Sequence, residues 1–125
     1  MDSMPIQKRR LVVLLSTNAN GDKSTVAFSI AHAALSAGME VLVFLVSDGV
    51  ELSRDGASDR ANFQPFAPLS SLIESFVANG GALAACGSCF QYHGLKPDQI
   101  LPKAQLAGVA TLATWLAAGA ATVSL

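Results

Sequence analysis

Charged residues are scarce in this sequence. Only 14% of its 125 residues are Asp, Glu, Lys or Arg, and the formal net charge is -1. The only cluster of basic residues is Lys8-Arg9-Arg10, so we expect no nucleic-acid surface. Residues 105–125 carry no charge, but Ala, Gly, Thr and Ser dominate them and insert weakly into bilayers. We therefore expect no membrane association.

Cysteine is equally scarce, with Cys86 and Cys89 as its two occurrences. A single pair three positions apart excludes a secreted disulfide framework, and in a reducing compartment it is typical of catalytic, redox or metal-binding sites. The polar start, residues 1–7, has no secretory-signal pattern and is expected to be flexible. These observations predict a cytoplasmic protein of one domain, residues 1–125, and they indicate no cofactor.

Hydrophobic residues, by contrast, make up 51% of the chain. This is more apolar surface than a small monomer usually hides, so oligomerisation is expected. The first predicted helix has two apolar stripes, of which one should pack on a sheet and the other against a neighbouring subunit. The stripes are Val26, Ile30, Ala34 and Ala37, and Phe28, Ala31 and Leu35, with Thr25, Ser29, His32 and Ser36 as a polar seam.

Continuous apolar runs at residues 11–15 and 41–46 predict strands that are buried on both faces, as in parallel sheets covered by helices. The helix between them should be capped by Asn20 or Asp22 and end at Gly38, which completes a β-α-β unit. Further strands are expected at residues 82–85, 104–107 and 121–125. The prediction is a three-layer, doubly wound α/β fold with a five-stranded parallel sheet in a flavodoxin-like arrangement.

The remaining segments have clear individual signatures. Residues 51–68 lose their periodicity and predict a long loop, a candidate cover for a site. A helical face follows, with Ser71 and Glu74 as a possible capping box and Gly80-Gly81 as its end. A last helix, closed by Gly119, precedes the terminal strand.

Cys86 is the main candidate for chemistry. In an open parallel sheet the functional crevice lies at the carboxyl ends of the strands, and Cys86 ends the third strand. The following Gly87 and Ser88 are expected to begin a helical turn, whose free amides favour a thiolate, the nucleophile of sulfur and disulfide chemistry. A small buried hydrophobic residue at a strand end is the alternative interpretation.

Cys89 lies close enough to resolve a persulfide or disulfide at Cys86, or it packs as a helix residue. A zinc site could use Cys86, Cys89 and His93, but no convincing fourth ligand follows, so no metal is predicted. His93 could contact a bound anion or serve as a solvated helix end.

Two further segments should reach the same edge of the sheet. Asn18 follows the first strand, and Asp48 and Gly49 follow the second, so they are candidate pocket residues. The loop after the first strand does not form a phosphate-binding loop, because Asp22 stands where that motif needs glycine and would repel phosphate.

The chain resembles the DsrE/DsrF-like sulfur-relay family over most of its length. The most specific pieces are the Asp48-Gly49-Val50 turn and a cysteine after the third strand that is followed by Gly94-Leu95. The resemblance implies five parallel strands between helices and assembly into homotrimers, homohexamers or mixed hexamers. It also implies that Cys86 matches the cysteine that accepts sulfane sulfur in active members.

The sequence thus predicts a small sulfur carrier that exchanges sulfur with donor and acceptor proteins and holds a persulfide on Cys86 beside Gly87 and Ser88. Two alternatives stay open. One is a binding module for a small anionic or nucleotide-like ligand, and the other is a thiol-disulfide oxidoreductase that uses both cysteines.

Overall fold

A computed structural model describes residues 8–125. Residues 1–7, which were expected to be flexible, lie outside the described part of the chain.

Five parallel strands form one sheet in the order β4-β3-β2-β1-β5. They are β1 Arg10–Leu15, β2 Glu40–Leu45, β3 Ala82–Cys86, β4 Gln105–Ala107 and β5 Ala121–Ser124. The predicted α/β fold with a five-stranded parallel sheet is confirmed. The register places Leu45 beside Leu15 on one side and beside Ala85 on the other, so the carboxyl ends of three strands meet at one edge.

Four α-helices and two short 3₁₀ helices connect the strands. They are α1 Lys23–Ser36, α2 Leu69–Ala78, α3 Gly87–Tyr92 and α4 Val109–Ala117, with 3₁₀ helices at Ser47–Ser53 and Pro97–Gln99. Helices α1 and α2 pack on each other, whereas α4 contacts β1. From β1 to β4 the chain moves in one direction along the sheet, and the connection through α4 returns in the opposite direction, from β4 to β5. Because crossovers are right-handed, this return places α4 on the face opposite to α1 and α2.

The core lies between the central strands and the helix pair α1 and α2. Strands β1 and β2 are buried along most of their length because helices cover both faces of a parallel sheet, which explains their unbroken apolar runs. Phe28 of α1 and Phe76 of α2 are fully buried and meet edge to face, with ring centroids 5.9 Å apart. This geometry is the favoured one for aromatic pairs and fixes the two helices against each other.

The side-chain caps predicted for the starts of α1 and α2 are wrong in detail. Asp22 does occupy the position before α1, but its side chain makes no capping hydrogen bond. Ser24 fixes the preceding loop instead, since its hydroxyl donates to the carbonyl oxygens of Thr17 at 2.9 Å and Asn18 at 2.6 Å. Helix α2 begins at Leu69 after Pro68, so the expected capping box at Ser71 and Glu74 lies inside the helix.

The polar seam predicted on α1 is not a solvent-exposed stripe. Thr25 is fully buried, and His32 Nε2 lies 2.9 Å from the Ser75 hydroxyl of α2 within hydrogen-bond distance. The stripe of Phe28 and Ala31 is the buried one, whereas Val26 is partly exposed. The seam therefore contributes to the contact between α1 and α2.

The long loop predicted for residues 51–68 is shorter, because the first 3₁₀ helix continues to Ser53. The rest is fixed at its start by backbone hydrogen bonds. The amide of Asp55 donates to Gln99 O at 2.7 Å, and the amide of Leu101 donates to Ser53 O at 2.7 Å. A role for this segment as a cover over the site stays a prediction.

The uncharged C-terminal segment does not form one long helix. It divides into β4, α4 and β5, as expected from its glycines. Among residues 8–125 there is no helix with the length and apolar character needed to cross a bilayer.

Candidate functional site

The two cysteines lie at the carboxyl edge of the sheet. Cys86 is the last residue of β3 and directly precedes α3, and Cys89 lies within that helix. Cys86 is 5% exposed and Cys89 is half-buried, and both are free thiols. The apolar β3 strand thus delivers one sulfur to the start of a helix, and the helical turn brings the second to the same side.

The surroundings of Cys86 favour its thiolate. Burial raises the pKa of this thiol, but hydrogen bonds from the Cys89 amide, the Cys89 thiol and the Ser88 amide together outweigh it, and the net pKa is lowered. Amides at the start of a helix have no partners within the helix, so they are free to donate to sulfur. Cys86 is therefore the more acidic member of the pair.

Cys89 has the opposite tendency. A hydrogen bond from the Ser47 amide lowers its pKa, but burial and the neighbouring Cys86, through a hydrogen bond and its charge, raise the pKa overall. Ser47 has a φ of 51°, a left-handed conformation that is uncommon for residues other than glycine. The pair is thus asymmetric, because the pKa of Cys86 is lowered, the pKa of Cys89 is raised, and the Cys89 thiol donates to the Cys86 sulfur.

Gly49 has a clear structural function at this edge. It is buried in the 3₁₀ helix that follows β2, and a Cβ added there would collide with the backbone carbonyl of Leu15 at the end of β1. Only glycine allows the two segments to approach so closely. The ligand-binding role expected for Gly49 stays a prediction.

Asp48 and His93 come together, as members of a group that also includes Glu51. The imidazole Nε2 of His93 lies 3.7 Å from Asp48 Oδ1, and its Nδ1 lies 3.6 Å from Glu51 Oε2. Sequence reasoning missed Glu51, which it placed at the start of a loop. The spacing of Asp48 and Glu51 could have indicated that they lie together, because residues three apart lie on the same side of a 3₁₀ helix.

Asn18 lies apart from the cysteines. It follows β1, and β2 separates β1 from β3, so the distance between these strand ends is about 10 Å from the usual strand spacing. Its side-chain oxygen accepts the amide of Asn20 at 2.9 Å within its own loop. A direct contact with Cys86 is therefore not supported.

The considered zinc ligands do not converge. Within residues 8–125, the three-residue group whose potential ligand atoms lie within 4.8 Å of one another is Asp48, Glu51 and His93, not Cys86, Cys89 and His93. The two thiols therefore form a site separate from the imidazole.

A cavity of about 460 Å³ lies beside the loop that follows β1. Its walls come from the loop after β1 and from residues 56–63, and they include Asn20, Asp59, Arg60 and Phe63. This volume lies within the range of small-molecule sites.

Comparison with known sequences agrees with the family resemblance noted from the sequence motifs. The profile of the DsrE/DsrF-like family matches residues 9–125. The chain is 29% identical over 105 residues to the uncharacterized protein MK0008 of Methanopyrus kandleri, and the matched region covers 84% of each chain. It is 23% identical over 105 residues to the uncharacterized protein MJ0760 of Methanocaldococcus jannaschii, which covers 84% of this chain but only 38% of that protein.

Solved structures share the fold. The YchN protein of Escherichia coli superimposes with a TM-score of 0.79 at 14% identity, covering 95% of this chain and all of that one. The protein of unknown function MTH1491 from Methanobacterium thermoautotrophicum gives a TM-score of 0.76 at 15% identity, covering 94% of this chain and all of that one. At these identities the similarity concerns the fold alone.

Proposed function

Because this chain belongs to the DsrE/DsrF-like family, we propose that it is a cytoplasmic sulfur-relay protein that carries sulfane sulfur as a persulfide on Cys86. The observation that supports this most directly is the lowered pKa of Cys86, which follows from three hydrogen-bond donors around its sulfur. A thiolate is the form that attacks a persulfide or disulfide sulfur.

The transfer is a displacement at sulfur. The Cys86 thiolate attacks the outer sulfur of a donor persulfide, a new S–S bond forms at Cys86, and the donor's S–S bond breaks. The donor leaves as a thiolate and the outer sulfur stays on Cys86 as an anionic persulfide, so no external oxidant or reductant is needed. An acceptor thiolate later removes the outer sulfur by the same displacement.

The burial of Cys86 fits a carrier. With 5% of the residue exposed, only small or extended donors reach the sulfur, and a bound persulfide is shielded from water. The amides of Ser88 and Cys89 donate to the Cys86 sulfur and are in position to stabilise the negative charge of the persulfide.

The proposal includes assembly of identical chains into a trimer or hexamer that receives and passes on sulfur through donor and acceptor proteins. Residues 105–125 carry no charge, and none of the residues in β4, α4 and β5 is fully buried. Val109 is 68% exposed, Leu116 44% and Leu106 43%. An uncharged surface with exposed apolar side chains is typical of protein interfaces, so this face, rather than a stripe of α1, is the proposed contact between copies.

Replacing both Val109 and Leu116 by Glu is expected to dissociate the assembly, because buried charges at an apolar contact are unfavourable. Sedimentation velocity should show the wild type as a multimer and the double variant at the monomer mass. Ser71→Glu, on the exposed side of α2, is the matched control and should keep the wild-type mass. A wild type that sediments as a monomer would rule out this part of the proposal.

Intact-mass spectrometry after incubation with inorganic polysulfide tests the carrier function. We expect the wild type to gain one sulfur atom, which peptide mapping places on Cys86 and dithiothreitol removes. Loss of two hydrogens without added sulfur would instead favour the thiol-disulfide oxidoreductase.

The second candidate, a binding module for a small anionic or nucleotide-like ligand, is favoured by the cavity of about 460 Å³ beside Asn20 and Arg60. In that case the mass of the protein would not change with polysulfide at any pH. Calorimetric titration with nucleotides would then be the next measurement.

A further inference from the structure

Asp48, Glu51 and His93 form a compact group of potential metal ligands beside the thiol pair, and the relay chemistry proposed above does not use them. We infer that these three residues bind one divalent transition-metal cation of the Zn²⁺ type, through two carboxylates and one imidazole.

Each carboxylate lies near one nitrogen of the imidazole, and one potential ligand atom from each residue lies within 4.8 Å of the others. Zinc binds nitrogen and carboxylate oxygen at about 2.0–2.2 Å, so two ligands of one tetrahedral ion lie about 3.4 Å apart. The His93 nitrogens lie 3.7 Å from Asp48 Oδ1 and 3.6 Å from Glu51 Oε2. Both separations are too long for a hydrogen bond, and each is close to the separation of two ligands. They involve different ring nitrogens, however, so one ion can bind all three residues only if one carboxylate turns toward the other nitrogen.

The two carboxylate side chains can rotate to bind the same ion as the imidazole. The carboxylates face different ring nitrogens, but the side chains of Asp48 and Glu51 are 60% and 38% exposed, so they can turn onto the same nitrogen. The imidazole of His93 is 19% exposed and is the fixed member of the group. Helix α3 packs against the 3₁₀ helix that carries both carboxylates, which keeps the three residues together.

The charge of the group also calls for a cation. Two carboxylates lie with their oxygens within 4.8 Å of each other, and like charges at this distance repel. A divalent ion bound between them would remove this repulsion.

The donor set selects the class of metal. Imidazole favours Zn²⁺ and its neighbours in the first transition row over Mg²⁺ and Ca²⁺, which prefer oxygen ligands alone. Three protein ligands leave one coordination position for water or an anionic ligand, as in open zinc sites. The inference does not depend on a persulfide at Cys86, because neither cysteine belongs to the group.

Calorimetric titration of the full chain with Zn²⁺, in a Cys86→Ser/Cys89→Ser background, separates this site from thiol ligation. We expect one Zn²⁺ per chain to bind in that background. His93→Ala should weaken binding at least about tenfold, equal to about 1.4 kcal/mol. Asp48→Asn and Glu51→Gln should each weaken it as well, since an amide is a poorer ligand than a carboxylate.

His32→Gln is the matched control. It removes the other histidine of the chain, which lies on α1 and pairs with Ser75, and it should leave zinc affinity unchanged. Zinc binding that disappears when the cysteines are removed, or that persists unchanged in His93→Ala, would overturn the inference. Either result would leave the sulfur-carrier proposal untouched, because the polysulfide experiment contains no metal.

Discussion

Cys86→Ser is expected to abolish sulfur uptake from polysulfide, whereas Cys89→Ser should retain it. The serine hydroxyl is not ionised near neutral pH and cannot attack a sulfur atom, so the first variant loses the nucleophile. The second keeps the Cys86 thiolate and its two amide donors, Ser88 and Cys89, whose backbone groups survive the substitution. Intact-mass spectrometry at fixed pH and polysulfide concentration measures both.

The pH dependence of Cys86 gives an independent readout of the same arrangement. The Cys89 thiol is one of the donors that lower the pKa of Cys86, so Cys89→Ala should raise that pKa and decrease the thiolate fraction at neutral pH. Because the thiolate is the reactive form, alkylation by iodoacetamide should be slower at neutral pH and recover as the pH rises. Cys89→Ser, whose hydroxyl can still donate, is the conservative control.

Two outcomes would contradict this account. Sulfur uptake in Cys86→Ser that equals that of the wild type would identify Cys89 as the carrier. A requirement for both cysteines would instead point to the redox pair.

Much of the fold could be predicted from the sequence because its local signals agree. The runs at residues 11–15 and 41–46 have no polar interruptions, and only strands covered on both faces require this pattern. The glycines that end α1 and α2, Gly38 and Gly80, adopt the expected positive φ of 92° and 95°. Strand ends were correct to within one residue for β1 and β2.

Helix starts were predicted less well, since several residues compete for each capping position. Near α1 the sequence predicted Asn20 or Asp22 as the cap, whereas the Asp22 side chain makes no capping hydrogen bond and Ser24 holds the preceding loop. The choice depends on how the loop meets the end of β1, which is a tertiary feature that periodicity does not encode.

The position of Cys86 at the end of β3 follows from the strand pattern, but its partners do not. The contribution of Ser47 depends on a backbone φ of 51° that its residue type does not favour. The proximity of Glu51 to His93 depends on the packing of the 3₁₀ helix against α3, two segments that are far apart in the chain. The edge of the sheet and the position of one nucleophile could thus be predicted from the sequence. The residues that surround this nucleophile are known only from the structure.

Gly49→Ala is expected to destabilise the protein by about 3 kcal/mol, near the upper end of overpacking effects in buried sites. An added Cβ would meet the Leu15 carbonyl, and neither backbone segment can yield easily, because Leu15 is paired with β2 and the Gly49 amide donates to Val46 O at 2.9 Å. Urea unfolding followed by circular dichroism, at one fixed protein concentration, measures the loss. The midpoint of thermal unfolding should fall by about 10 °C.

The matched control for this prediction is Gly87→Ala, the same substitution at a position where the added Cβ makes only an ordinary contact with the Ala107 carbonyl, at 3.8 Å. Its stability should equal or exceed that of the wild type, because alanine favours the helix that begins there. If both variants unfold at the same urea concentration as the wild type, the close approach of the 3₁₀ helix to β1 is not a constraint on this fold. If only Gly49→Ala is destabilised, the glycine after Asp48 is required for the packing that brings the Ser47 amide to Cys89 and the carboxylates to His93.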